Sequence, residues 1–232
     1  MQCDFEAHEG PLRGFYGCGG VQIKRCIFAN LSSSSRGGGV CVDGTHQLEL
    51  RSSTFFNCHT PQFGGGLFAH SSMNFVSSAC FMDCSAGGNN DDVGHGAYLS
   101  CFSSSQETNI NQCFVVGCTR EPNGKCSSIY FTTTSQSFSR SNFTLNRILP
   151  YEVIQSDTVN RVSSFDIFHN CTSSPVITHG SVSYLEYYEF IGNKQDVNHY
   201  GSLNLSGGGD IRNSIFALNT YAEVGVSTVN CV

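Results

Sequence analysis

The sequence predicts an all-β chain wound as a right-handed parallel β-helix (a solenoid) of about eight to nine coils. Three observations lead there: a composition poor in helix formers, a phenylalanine motif recurring about every 27 residues, and an in/out alternation just upstream of that motif.

Composition comes first. Of the 232 residues, 25 are Gly, 32 Ser, 14 Thr and 18 Asn, whereas charged residues make up only 13%. That is too poor in Glu, Lys and Ala for helices and suits short strands joined by tight turns. The 39% hydrophobic content, with 18 Phe and 9 Tyr, is enough for a core and excludes disorder. Twelve Lys and Arg against 18 Asp and Glu give net −6, the wrong sign for tracking nucleic-acid phosphates. The longest apolar runs are about six residues, far short of the ~20 that span a bilayer as a helix. The start, Met1-Gln2-Cys3-Asp4-Phe5-Glu6, is acidic and lacks the cationic and apolar regions of a signal peptide.

The repeat emerges when phenylalanines are aligned. Phe28, Phe55, Phe81, Phe114, Phe143, Phe168, Phe190 and Phe216 follow one another at 27, 26, 33, 29, 25, 22 and 26 residues. Three places on stands Asn or Cys in six units: Cys58, Cys84, Asn146, Cys171, Asn193 and Asn219. Two units depart, with Asn30 at plus two and Cys118 at plus four.

The strand before each Phe reads as half-buried. Five residues upstream lie Ile23, Leu50, Val76, Phe138, Leu185 and Ile211, with Asn109 and Ser163 as exceptions. The next position holds Lys24, Arg51, Ser77, Ser139, Ser164, Glu186 and Arg212, with Ile110 as the exception. One column faces in and its neighbour faces out. Glycine clusters then lead into a further apolar strand, at GGGV ending on Val40, GGGL on Leu67 and GHGAYL on Leu99; later units loosen to Ile129-Tyr130 and Val176-Ile177.

A unit this small cannot bury its apolar face alone, but stacked copies can. Strands recurring once per unit pair in parallel, ~4.8 Å apart, with right-handed crossovers. Phe is expected to stack on Phe, and Asn amides to bond from coil to coil at one corner. Residues 1–232 read as a single domain and as a piece of a longer solenoid. Cys3 to His8 resembles the tail of another unit, with Phe5 23 residues before Phe28, and Gly225 to Val229 starts a unit that does not reach its Phe.

The glycine-led strands and F-x-x-N units resemble the polymorphic membrane protein repeat family, typified by GGAI and F-x-x-N. The cysteine-for-asparagine swaps resemble the related cysteine-rich surface proteins of protists. The likeness covers nearly the whole chain, although GGAI is never intact. It implies a cell-surface or extracellular, adhesin-like solenoid without catalytic residues, whose partners are host or cell-surface proteins or glycans.

Parallel β-helices also carry pectin-degrading enzymes, so the alternative is a polysaccharide hydrolase or lyase on the same scaffold. Its site residues are Asp91, Asp92 and His95, the last within Gly94-His95-Gly96, similar to polygalacturonase signatures. Inverting hydrolysis needs two carboxyls about 6.5–9.5 Å apart on opposite sides of one linkage. Here the motifs are nearly contiguous in one loop, and a polar turn explains them as well. Lys24, Arg51 and Arg212 suggest a weak cationic stripe, and Tyr184, Tyr187 and Tyr188 a contact patch if they do not alternate inward.

Of the 13 cysteines, Cys58, Cys84 and Cys171 are expected at equivalent corners, and Cys80 with Cys113 in a second column. Stacking at ~4.8 Å falls within disulfide reach, but parallel Cβ vectors fit the torsion poorly, so most are expected as packed thiols. No C-x-x-C occurs, and neither a metal-ligating nor a cofactor-binding set is read. Four N-x-[ST] sequons, at Asn30, Asn142, Asn170 and Asn204, are no more than chance supplies. End-to-end self-association is a further expectation for a stack with unpaired ends.

Overall fold

The computed structural model describes residues 2–6, 19–87, 97–101, 107–118, 129–132, 135–146, 154–156, 161–164, 166–171, 177–179, 183–194, 203–205, 209–220, 224–226 and 229–231. Among them there is no helix, and every strand pairing is parallel. The chain is an all-β parallel solenoid.

Two main sheets run along it. The short sheet has eight three-residue strands in chain order: Ile27–Ala29, Thr54–Phe56, Cys80–Met82, Phe114–Val116, Asn142–Thr144, Ile167–His169, Glu189–Ile191 and Ile215–Ala217. The long sheet starts with Gln2–Glu6, Gly20–Lys24, Val40–Arg51 and Leu67–Ser77. It then forks, because Leu67–Ser77 pairs with two strands at once, Ala97–Cys101 and Glu107–Asn111. Each starts its own ladder through the later units. The glycine-led strands start at Val40, Leu67 and Ala97, as the motifs predict.

The middle residue of each short strand fills the core. Phe28, Phe55 and Phe81 stack at centroid spacings of 4.8 and 4.7 Å. Phe143, Phe168, Phe190 and Phe216 continue at 4.8, 5.1 and 4.8 Å. Between the two runs the expected Phe114 is not the core residue. Val115 pairs with Phe81 and Phe143, while Phe114 points outward, half exposed.

Moving the frame by one residue removes the irregularities of this unit. Cys118 becomes plus three, Ile110 joins the inward column between Val76 and Phe138, and Asn111 joins the outward one. It also corrects the second cysteine column. Cys80 pairs with Phe114, whereas Cys113 occupies the preceding inner corner. Phe5 likewise pairs with Ile23, which puts it in the long-sheet inward column, not the Phe ladder.

Among the described residues, left-handed positions precede seven of the short strands and follow all eight. Before them, Arg25, Ser52, Ser78, Gln112, Arg140, Tyr187 and Asn213 have φ of 48–58°. After them, Asn30, Asn57, Asp83, Gly117, Leu145, Asn170, Gly192 and Leu218 have φ of 49–64°. A single αL residue turns the chain sharply while its N–H still donates to the next coil, as Asn57 does to Met82 O at 2.9 Å. The glycine clusters answer a different demand. A Cβ on Gly38 or Gly65 would collide with the backbone of the neighbouring coil.

The corner at plus three explains why Cys and Asn interchange. Asn146, Asn193 and Asn219 donate Nδ2–H to the core-position carbonyl one coil back: Val115 O at 2.9 Å, Phe168 O at 3.0 Å and Phe190 O at 2.9 Å. Cys58, Cys118 and Cys171 donate S–H to Phe28 O, Phe81 O and Phe143 O at 3.2, 3.6 and 3.5 Å. Amide-to-amide contacts between coils occur from Asn193 Nδ2 to Asn219 Oδ1 at 3.1 Å in this corner and from Asn57 Nδ2 to Asn30 Oδ1 at 2.8 Å at the neighbouring turn position. Most of the ladder instead satisfies buried backbone carbonyls. A second ladder occupies the corner before the strand, where Ser53, Ser141 and Ser214 accept N–H groups of Cys26, Cys113 and Tyr188.

Candidate functional site

Asp91, Asp92 and His95 lie outside the described residues. The cationic column of Lys24, Arg51 and Arg212 sits on one outward face as expected, but its charges are engaged. Lys24 Nζ donates to Gln22 Oε1 at 2.7 Å, and Arg51 pairs with Glu49 on its own strand. Ser77, Asn111, Ser139 and Glu186 separate Arg51 from Arg212, so no continuous cationic stripe forms. Of the tyrosines, Tyr187 is exposed while Tyr188 is buried between Phe168 and Phe190, at 6.1 and 5.7 Å. These two face opposite ways and make no joint patch; the side chain of Tyr184 lies outside the described residues.

What the long sheet does bring together is a shallow depression of about 380 Å³ across three consecutive strands. Register puts Phe75 between Glu49 on one strand and Asn109 on the next. Gln47, Arg51 and Asn111 complete the rim. Half-buried Phe75 offers apolar surface within a ring of amides and one ion pair. Rings with an apolar face and hydroxyl edges meet both needs there: contact with the aromatic, and hydrogen bonds from the rim.

A second cluster, which the sequence reading missed, sits nearer the start of the same two strands. Asp43 accepts from His70 Nδ1 at 3.1 Å and from Arg36 at 3.3 Å. The Arg36 guanidinium lies 4.9 Å from the Phe68 ring centroid. Beside Asp43 the strand bulges at Gly44, with φ of 75°. The signal was available: Asp43 and His70 are 27 residues apart, one repeat, and therefore neighbours across a coil.

The eight described cysteines that keep free thiols are mostly buried. Burial pushes Cys113 up to about 12 and Cys171 up to about 11. The stacked thiols of Cys58 and Cys84 are raised further, Cys58 chiefly by its contact with Cys84 and Cys84 chiefly by desolvation. Such thiols remain protonated at neutral pH and are poor nucleophiles. Among the described residues no cluster of three His, Cys, Asp or Glu could hold a metal ion. No helix long and apolar enough to cross a membrane occurs among them.

No family model, no curated protein and no solved structure matches this chain. The likeness to polymorphic membrane protein repeats rests on the short motifs alone.

Proposed function

We propose that this chain is a non-catalytic binding solenoid, right-handed and of about eight to nine coils, that presents the outward face of its long sheet to a ligand. The observation that carries this reading is Phe75, held on a rigid strand between Glu49 and Asn109 within a ring of amides. A glycan is the ligand chemistry that such a depression fits best, with sugar C–H faces on the ring and hydroxyls on the rim. The repeat motifs add the expectation of an adhesin-like protein at a cell surface.

The test is a glycan array followed by titration of any hit. Phe75→Ala should weaken binding at least tenfold, about 1.4 kcal/mol, without changing the fold. A chain that retains full affinity after this substitution binds elsewhere. Assays for reducing ends and unsaturated products on pectins and other acidic polysaccharides cover the enzyme alternative. Turnover abolished by Asp92→Asn in a folded protein would replace the binding reading.

A further inference from the structure

The outward face of the short sheet differs chemically from that of the long sheet. Its eight strands present sixteen outward positions, of which eleven are Ile, Phe, Val, Met, Ala or Cys. Glu189 is the single formal charge among them. Ile27, Phe56, Phe114 and Ile215 are exposed there. The long sheet's outer face, by contrast, carries Lys24, Glu49, Arg51 and Arg212.

The turn bordering this face carries a second signal. Six of its eight left-handed positions hold Asn, Asp or Gly, the residues that adopt positive φ most readily. The other two are Leu145 and Leu218, 58% and 84% exposed. A leucine in this conformation costs about 1–2 kcal/mol, and at such exposure little burial on folding offsets it. These two exposed leucines extend the apolar face past the ends of its strands.

We propose that this apolar face is a homodimer interface, two copies packing short sheet to short sheet with their solenoid axes antiparallel. Charge selects the occupant. Its strand positions carry no Lys or Arg, Arg25 and Arg140 standing only at the bounding turns, and the chain is net −6, so an anionic bilayer finds little to hold. A nearly uncharged apolar stripe is best complemented by its own copy, the isologous arrangement of two-fold dimers. Charge also selects the orientation. Parallel axes would set both Glu189 carboxylates on one rung, whereas antiparallel axes centred between Phe114–Val116 and Asn142–Thr144 set Glu189 over Thr54.

Size sets the strength. Eight strands at ~4.8 Å make the stripe about 34 Å long. At roughly 15 Å wide it offers on the order of 500 Å² per copy, below the ~800 Å² of a standard interface. The dimer is therefore weak and forms in the micromolar range. This interface lies apart from the Phe75 depression and leaves it open, giving each dimer two binding faces.

Sedimentation equilibrium of the whole chain across the micromolar range tests the proposal. Wild type should dimerise, Phe114→Lys should remain monomeric, and Phe75→Ala should dimerise as wild type does. Leu145→Asn separates interface from folding: it should weaken the dimer while raising the thermal midpoint of the monomer. In the antiparallel arrangement Cys80 meets Ile167 of the other copy, so Ile167→Cys should give a disulfide-linked dimer under mild oxidation. A wild type monomeric throughout, or a dimer unaffected by both Phe114→Lys and Leu145→Asn, would overturn the proposal. Failure of the Ile167→Cys cross-link in a protein that does dimerise would overturn the orientation. Flotation of monomeric wild type with phosphatidylcholine vesicles would assign the face to lipid instead.

Discussion

Asn193 stands directly above Cys171 at one corner of the solenoid, and its Oδ1 accepts the Cys171 N–H at 2.9 Å. The same amide donates to Phe168 O at 3.0 Å, so one side chain satisfies two buried backbone groups. Cysteine can supply the donor half of this arrangement but is a poor acceptor. Asn193→Ala should cost about 2–3 kcal/mol in a denaturant melt, and Asn193→Cys clearly less. Equal losses would mean that the S–H to carbonyl contact contributes nothing.

The core frame is tested at the unit where motif and structure disagree. Val115→Ala should cost about 2 kcal/mol, because two buried methyls are lost. Phe114→Ala should cost less than about 1 kcal/mol in the monomer, despite removing more atoms. For comparison, Phe81→Ala should cost about 3–5 kcal/mol and Ser77→Ala no more than about 0.5. Reversal of the first pair in chemical denaturation would restore Phe114 to the ladder.

Buried thiols give the stability a definite pH sign. In the unfolded chain they titrate near the ordinary value of 9.0, while in the fold Cys171 holds its proton to about 11 and Cys113 to about 12. Above pH 9 the unfolded state therefore binds fewer protons, and stability falls as pH rises. The slope is about 1.4 kcal/mol per pH unit per thiol, ending near 11 for one and 12 for the other. Urea melts from pH 7 to pH 11 should show this decline, and Cys113→Ser together with Cys171→Asn should make it shallower, the remainder coming from the buried Cys58 and Cys84. A flat wild-type profile would mean that these thiols ionise as freely in the fold as outside it.

Leu218 offers the complementary case of a side chain whose replacement helps. At φ of 57° and 84% exposed, it gives up little on becoming Asn or Gly. Leu218→Asn should stabilise the monomer by about 0.5–1 kcal/mol, read as a rise in thermal midpoint. A loss of similar size would show that the leucine packs within its own chain.

Most of the solenoid was legible because its determinants repeat in the sequence: Phe28, Phe55 and Phe81 announce their own stack. The frame slipped at Phe114 because CFVVGC looks like CFMDC, and a large aromatic outweighs a valine in any visual alignment. The turn geometry sets the true frame, and Gly117 in its left-handed position with Cys118 after it carried that information. The binding face was harder to see. Phe75, Glu49 and Asn109 are 26 and 34 residues apart, and they meet only because strand register brings successive coils side by side. Residue types alone rank Asp91-Asp92 above them, since a pair of adjacent acids is visible without any register.

The fork of the long sheet has a consequence for how such a gene can change. Core residues step 34 positions from Phe81 to Val115 but only 22 from Phe168 to Phe190, yet the short-sheet ladder is continuous. Of that dozen residues of slack, seven fall between the short strand and the glycine-led ladder (Phe81 to Ala97 against Phe168 to Ile177) and five between the two outer ladders (Ala97 to Ile110 against Ile177 to Leu185). Insertions and deletions that fall between those two ladders leave the stacking phase untouched, whereas a one-residue change between the left-handed turns would turn the core side chains outward. Foreign peptide segments grafted between Cys101 and Glu107 should accordingly be carried as passengers.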